Sequence, residues 1–168
     1  MTVTDSVIVT TTVAVDPATA FQIFTEDIDV WWRRDARFRA SEDRSLHFEA
    51  GVGGRLFSYQ ESGAVHEIGR VRAWEPPKRL VFEWRARNFE PDQGTEVEVR
   101  FEHVPRGTRV TLEHRGWDGI PADHPVRHGM VGESFSNFFG SWWGDLLVSL
   151  RVHAVHTAER GAPDERDA

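Results

Sequence analysis

The 168-residue sequence contains no cysteine, which excludes disulfides, thiolate nucleophiles and thiolate metal sites. This composition is typical of a protein kept in a reducing compartment, so we expect a cytoplasmic location. Long apolar runs are also missing. No stretch approaches the roughly 20 residues of a membrane helix, and the start lacks the basic and apolar regions of a signal peptide. We therefore expect no membrane insertion.

Positive charge is in the minority. Lys and Arg total 20 against 27 Asp and Glu, which gives a formal net charge of −7. Because a phosphate backbone attracts basic surfaces, nucleic acid is not an expected partner. Aromatic residues are plentiful instead: they make up 11% of the chain and include seven Trp but one Tyr. This bias is the first indication of a function that uses apolar surface.

The length and the hydrophobic periodicity predict one α+β domain over residues 1–156 and a polar, frayed tail over 157–168. Alternating β-branched residues over 7–15 predict a first strand, and Asp16 followed by Pro17 predicts the start of a short helix. A second short helix and about six antiparallel strands follow. Aromatic residues and leucines at spacings of three and four predict one long helix over 133–155.

One hairpin has a well-specified register. Pro105 and Gly107 occupy the second and fourth positions of a turn over residues 104–107. Pairing through this turn sets Phe101 opposite Val110, whereas a slip of one residue would move charged side chains into the core. The carboxylates Glu96, Glu98, Glu102 and Glu113 then face outward, which disfavours glycosidase-like chemistry with paired inward carboxylates.

A sheet of about seven strands is roughly 30 Å wide, whereas one helix covers about 10 to 12 Å. We therefore expect a curved antiparallel sheet that grips the C-terminal helix and encloses some volume. Ser136, Gly140 and Gly144 form a stripe of small residues on this helix. The stripe either lets a strand pack closely or leaves room for a ligand. The loop over 116–132 is long enough to act as a lid.

Five short motifs of the chain occur together in one known superfamily. They are Asp16-Pro17, Trp31-Trp32, Gly53-Gly54-Arg55, EPPKRLVFEWR at 75–85 and GTRVTLEHRGW at 107–117. As a set they resemble the helix-grip superfamily of START domains and birch-pollen-allergen-like proteins, and within it the branch of the C-terminal domain of the activator of the heat-shock-protein-90 ATPase. The resemblance implies a cavity between the last helix and the sheet that takes a small apolar molecule. Members of this superfamily include carriers, enzymes and co-chaperone domains.

The inner face of the predicted sheet and helix supplies the candidate ligand-binding residues. His114 and a tryptophan N–H are the expected polar anchors. For His103 and His114, a hydrogen-bonded structural role is the alternative, and His114 is the candidate base if the protein is an enzyme. The full set is Trp84, Phe101, His103, Leu112, His114, Trp117, Phe135, Phe138, Phe139 and Trp142.

No metal or other cofactor is expected. His114, His124 and His128 are the available imidazole ligands, but two of them lie in the long loop without the fixed spacing of a metal site. The charge runs RRDAR at 33–37 and EDR at 42–44 are interpreted as solvated loop surface.

The sequence favours binding of a small hydrophobic or aromatic molecule by a monomer or homodimer. Two other functions stay open. One is a co-chaperone-like module with a chaperone partner, and the other is a cyclase or aldol-type enzyme that uses the same cavity without a metal.

Overall fold

The structure is a computed structural model, and it describes residues 6–161. Two 3-10 turns, Trp117–Gly119 and Pro125–Arg127, lie in the long loop before the last helix. The observed order confirms the predicted α+β fold, with two short helices after the first strand. The elements are β1 (Ser6–Val13), α1 (Pro17–Glu26), α2 (Ile28–Trp31), β2 (Asp43–Phe48), β3 (Arg55–Gln60), β4 (Val65–Glu75), β5 (Arg79–Trp84), β6 (Thr95–Val104), β7 (Gly107–Arg115) and α3 (Gly132–Gly161).

All seven strands form one antiparallel sheet in the order β1-β7-β6-β5-β4-β3-β2. The predicted hairpin register is confirmed, because Phe101 lies opposite Val110 and Val104 pairs with Gly107 across a two-residue turn. The first and the last strand in the chain are therefore neighbours, and β2 forms the far edge.

A bulge in β4 increases the curvature of the sheet. The pairing of β3 with β4 shifts register beside Gly69. A Cβ atom at Gly69 would lie 1.7 Å from the carbonyl oxygen of Glu83, so only glycine fits there. Bulges bend a strand and raise its twist, and this one turns the β2–β4 edge toward the helices.

The main core lies between the concave face of the sheet, α1 and α2, and the C-terminal half of α3. Asp16 caps α1 by accepting a 2.8 Å hydrogen bond from the Thr19 amide, and Pro17 stands at the first helical position. This start directs Phe21 and Phe24 into the sheet, where both rings contact Phe101. The helices thereby cover the part of the concave face that α3 leaves open.

Helix α3 is longer than the sequence predicts. It continues to Gly161, so residues 157–161 are helical rather than frayed, and residues 162–168 lie outside the described part. The hydroxyl of Thr157 donates to the carbonyl oxygen of His153, and the Arg160 guanidinium donates to that of His156, which supports the last turns. No described helix, α3 included, combines the length and apolarity that would let it span a membrane.

The convex face carries an ion-pair cluster around Glu98. This carboxylate points outward, yet it is only 4% exposed, because the guanidinium groups of Arg79, Arg100 and Arg115 cover it. Burial alone would raise the pKa of Glu98, but hydrogen bonds from Arg79 and Arg115 and the nearby positive charges lower it to about 2. Glu98 therefore faces outward as predicted, but arginine side chains shield it from solvent.

Candidate functional site

A cavity of about 380 Å³ opens between the β2–β4 edge of the sheet, the loop over residues 32–42 and α3. Four of its lining side chains are Trp or Phe, and a drug-sized ligand pocket starts at about this size. We call it the main cavity. Its apolar walls are formed by Trp32, Phe38, Leu46, Leu56, Ile68, Trp84 and Trp142.

The aromatic walls pack on one another around Trp142. The ring centroid of Trp142 lies 5.2 Å from that of Phe38, 5.9 Å from that of Trp32 and 6.5 Å from that of Trp84. Two of the indole N–H groups are already used inside the protein: Trp32 donates to the Phe38 carbonyl and Trp142 to the Arg37 carbonyl. Trp32 and Trp142 therefore offer only apolar surface to a ligand. Of the three indoles that line the cavity, Trp84 alone has an N–H group without a hydrogen-bond partner among the described residues.

The loop over residues 32–42 covers the main cavity, and Arg39 fixes it. Although only 5% exposed, the Arg39 guanidinium donates to Asp29 Oδ1 at 2.7 Å and to the carbonyl oxygens of Asp29, Trp32 and Arg33. Burial alone would raise the pKa of Asp29, but the hydrogen bond from Arg39 and one from the Leu46 amide lower it. The buried charge is thus fully paired, and the loop is held to α2.

The same loop is also attached to α3. The Trp142 indole donates to the Arg37 carbonyl oxygen at 2.9 Å, and the Arg37 guanidinium forms an ion pair with Asp145. Trp142 and Asp145 lie three residues apart and so occupy one helical turn. The loop that covers the main cavity is therefore held by polar contacts to α2 and to one turn of α3.

The opposite end of the main cavity is polar and centres on Asp43, whose side chain is 9% exposed. Asp43 Oδ1 accepts hydrogen bonds from Ser58 Oγ at 2.9 Å, Gln60 Nε2 at 2.6 Å and Arg87 Nη2 at 2.7 Å. Arg87 also donates to Gln60 Oε1 at 3.1 Å. The solvated surface predicted for the run at 42–44 is therefore wrong for Asp43, because three donors compensate its burial.

His66 lies beside this group. It pairs with Ser58 across β3 and β4, lines the main cavity and is half-buried. Its ring makes no hydrogen bond with any residue in 6–161. Burial and then the Arg87 charge lower the pKa of His66, which keeps the ring neutral near pH 7. A neutral imidazole offers one donor and one acceptor, so both are available to a ligand. We call Asp43, Ser58, Gln60, His66 and Arg87 the polar end.

A second space of about 430 Å³ adjoins the main cavity. The two share several lining residues, including Phe38, Trp84 and Trp142. The long loop contributes Val126 and His128 to the second space but lines none of the main cavity. The segment that covers the main cavity is thus the loop at 32–42, whereas the sequence favours the later loop as a lid.

The predicted ligand-binding residues divide between the cavities and the core. Trp84 and Trp142 line the main cavity, and Phe138 and Phe139 line the second space. Phe101 and Leu112 are buried in the main core, whereas Trp117 and Phe135 are buried beneath the long loop. His103 lies one pair from the β6–β7 turn, on the same face of the strand as Phe101, but it is exposed and lines neither cavity.

His114 is sealed in an aromatic cluster and reaches neither cavity. The Nδ1 atom of His114 accepts a hydrogen bond from the Trp143 indole at 3.1 Å, so the ring proton is on Nε2. Nε2 donates to Thr95 Oγ1 at 2.6 Å, and the Thr95 hydroxyl donates to the Trp84 carbonyl oxygen at 2.8 Å. Burial lowers the pKa of His114 to about 3. Both ring nitrogens are occupied, so this geometry supports the structural alternative and leaves His114 no access to a substrate as base or anchor.

The three candidate metal ligands do not converge. His124 accepts from the Val126 amide through Nδ1 and contacts the Asn88 carbonyl through Nε2, whereas His128 packs against the ring of Phe138. Across residues 6–161, no three His, Asp or Glu side chains come together as a metal site requires.

Sequence reasoning missed the polar end. The sequence contains no clear signal for it. Leu56, Ser58 and Gln60 alternate on one face of β3, but Phe57 and Tyr59 make the opposite face the more apolar one, so the pattern does not mark the polar residues as inward.

Comparison with known proteins identifies relatives of this arrangement. The family of Activator of Hsp90 ATPase homolog 1-like proteins matches residues 14–147, which is more than half of the chain. No curated protein matches the sequence.

Solved structures share the fold at low sequence identity. Protein MLL2253 from Mesorhizobium loti is 19% identical with a TM-score of 0.62, over 94% of this chain and 99% of that one. The AHSA1-like protein from Aeromonas hydrophila is 18% identical with a TM-score of 0.59, over 95% and 98%. The Aha1 dimer from Colwellia psychrerythraea is 19% identical with a TM-score of 0.58, over 88% and 94%.

Proposed function

The chain belongs to the family of Activator of Hsp90 ATPase homolog 1-like proteins, and from this premise we propose that it binds a small, predominantly aromatic molecule in the main cavity. The observation that carries the proposal is an open space of about 380 Å³ beside the aromatic core, lined by three indoles and a phenyl ring. Interiors are normally packed to crystal-like density, so a space of this size lined by indoles is a binding-site candidate.

The chemistry of the walls supports an apolar guest. Three indoles and a phenyl ring surround the space, and the N–H groups of Trp32 and Trp142 are satisfied by backbone carbonyls. Burying about 200 Å² of ligand at about 25 cal/mol per Å² contributes about 5 kcal/mol before ordering costs. Micromolar affinity then requires a few polar anchors in addition to the apolar contacts.

The first experiment titrates the protein with a panel of lipids, flavonoids and polyketides and follows tryptophan fluorescence. We expect a subset of aromatic compounds to quench the emission, because Trp32, Trp84 and Trp142 line the cavity. Indifference of a folded sample to the whole panel contradicts the proposal.

A filling substitution localises the binding. Ile68→Trp places a large side chain in the main cavity, and we expect it to weaken binding at least about tenfold because the guest loses its space. Val65→Trp is the matched control, since Val65 is exposed on the same strand and lines no wall of the cavity. Equal affinities for the two variants, measured by calorimetry, place the ligand elsewhere.

A second function rests on the family itself. The family is named after an activator of the Hsp90 ATPase, and a similar solved structure is the Aha1 dimer from Colwellia psychrerythraea. On this basis we propose, as the alternative, that the chain interacts with a chaperone ATPase. Stimulation of ATP hydrolysis by the cognate chaperone tests it. The Ile68→Trp variant separates the two functions, because it fills the cavity and leaves the outer surface unchanged.

A further inference from the structure

The polar end of the main cavity has a hydrogen-bonding capacity that the protein does not use. Asp43 Oδ1 accepts three hydrogen bonds, but no hydrogen bond in the described chain uses Oδ2. Both ring nitrogens of His66 are likewise without partners among residues 6–161. The two side chains line the same cavity, so a ligand there meets an acceptor on Asp43 and one donor and one acceptor on His66.

The charges at this end are balanced. The Arg87 guanidinium is 2.7 Å from Asp43 Oδ1 and neutralises that carboxylate. Arg39 also lines the cavity, and its buried guanidinium is paired with Asp29. The guanidinium of Arg85, the third lining cation, donates to the carbonyl oxygens of Glu90 and Pro91. His66 is neutral because burial lowers its pKa. The three lining guanidinium groups therefore already have hydrogen-bond acceptors in the protein. A charged guest would have to compete for them or leave water with an unpaired charge, which is costly.

A carboxylate guest fits poorly for a further reason. It only accepts hydrogen bonds, and the Asp43 carboxylate would repel it. An ammonium guest would meet the Arg87 charge that already compensates Asp43. A hydroxyl group both donates and accepts, so it can donate to a free acceptor of the site and accept from the His66 N–H.

We propose that Asp43 and His66 bind a hydroxyl group of an uncharged aromatic ligand and so select phenol-type guests over carboxylates. This inference rests on the proposed binding function of the main cavity. The rings of the guest lie against the indoles, and the hydroxyl lies at the β2–β4 edge. Ser58, Gln60 and Arg87 act as positioning residues, because they orient the Asp43 carboxylate through Oδ1.

Three probes on one scaffold test the selection: naphthalene, 2-naphthol and 2-naphthoate, each titrated into the full chain and followed by NMR of the indole N–H signals. The hydrogen bonds of the hydroxyl group with Asp43 and His66 together predict at least about 5- to 10-fold tighter binding of 2-naphthol than of naphthalene. We expect 2-naphthoate to bind more weakly than naphthalene. Tighter binding of 2-naphthoate than of 2-naphthol overturns the proposal.

Variants assign the effect to His66. His66→Phe keeps a ring but removes the donor and acceptor, so it should reduce the 2-naphthol advantage to what Asp43 alone supplies and leave naphthalene binding unchanged. His66→Gln retains both functions and should keep part of the advantage. His47→Phe is the matched control, because His47 lies on β2 at the same edge of the sheet, with its ring on the face turned away from the cavity, against Phe57 and Tyr59.

The outcomes separate this proposal from the one it rests on. If all three probes bind equally, or if His66→Phe leaves the 2-naphthol advantage intact, hydroxyl selection is wrong although the cavity binds aromatic molecules. If none of the probes binds and the wider panel also fails, both proposals are wrong.

Discussion

Two histidines in aromatic surroundings differ in how deeply they are buried and in whether their rings are hydrogen-bonded. His114 is 1% exposed, and both of its ring nitrogens are hydrogen-bonded. His66 is half-buried and makes no hydrogen bond with a described residue. At His114, α3 packs directly on the sheet, and its Trp143 indole contacts the histidine ring. At His66, the loop over residues 32–42 covers the sheet instead. Aromatic lining alone therefore does not make a binding site; the site forms where a loop rather than a helix closes the sheet.

The largest expected effect separates the two histidines by stability. His114→Ala removes a fully packed ring and leaves the Thr95 and Trp143 partners unsatisfied, so we expect the free energy of unfolding to fall by about 3 kcal/mol. His66→Ala removes no internal hydrogen bond and should cost under about 1 kcal/mol. Urea unfolding measures both, and similar losses would break the contrast.

A pH series sharpens the same contrast. The folded pKa of His114, about 3, is below the ordinary value of 6.5, so the unfolded state binds more protons between these values and stability falls as the pH falls. One such group gives a slope of about 1.4 kcal/mol per pH unit below pH 6.5. Above pH 6.5 its contribution is complete and constant.

The unfolding free energy at pH 7.5, 6.5 and 5.5 tests this slope. His114→Gln should flatten the curve between pH 6.5 and 5.5, whereas His66→Gln should change it less, because His66 is only half-buried. An unchanged slope in His114→Gln means that this ring is not the main acid-sensitive group.

The smallest expected effect concerns the small-residue stripe of α3. A Cβ atom at Gly144 would meet nothing within 4 Å, and Gly144 lines neither cavity. Gly144→Ala should stabilise the protein by up to about 1 kcal/mol through helix propensity and leave ligand affinity unchanged. Gly140→Ala is the comparison, since its Cβ would lie 3.9 Å from Val7 on β1. Thermal unfolding and one titration suffice, and weaker binding by Gly144→Ala would show that the guest reaches the stripe.

The sequence predicts the fold well wherever one face of an element is clearly apolar. In β6 and β7, inward valines and leucines alternate with charged residues, and the pairing of Phe101 with Val110 follows directly. The start of α1 is predictable too, because the Asp16 cap depends on local hydrogen bonding alone.

The candidate site is less predictable, because β3 is apolar on both faces. Leu56 lines the main cavity, whereas Phe57 is buried on the other face beneath the Arg55 guanidinium, 4.7 Å from its ring centroid. Alternation therefore cannot tell which face is concave. The loop at 32–42 has no periodicity. Its position depends on irregular hydrogen bonds of Arg39 with Asp29 and Trp32, and on the hydrogen bond between Trp142 and Arg37, which are 105 residues apart.

The attachment of that loop to a single turn of α3 has a kinetic consequence. Between the loop and α3, the polar links in the described chain are the Trp142–Arg37 hydrogen bond and the Arg37–Asp145 ion pair. A molecule entering beneath the loop on this side needs only those two links to separate, while every hydrogen bond of the sheet stays intact. Exchange of the guest is then expected to be much faster than global unfolding, and added salt, which screens the exposed ion pair, should accelerate it.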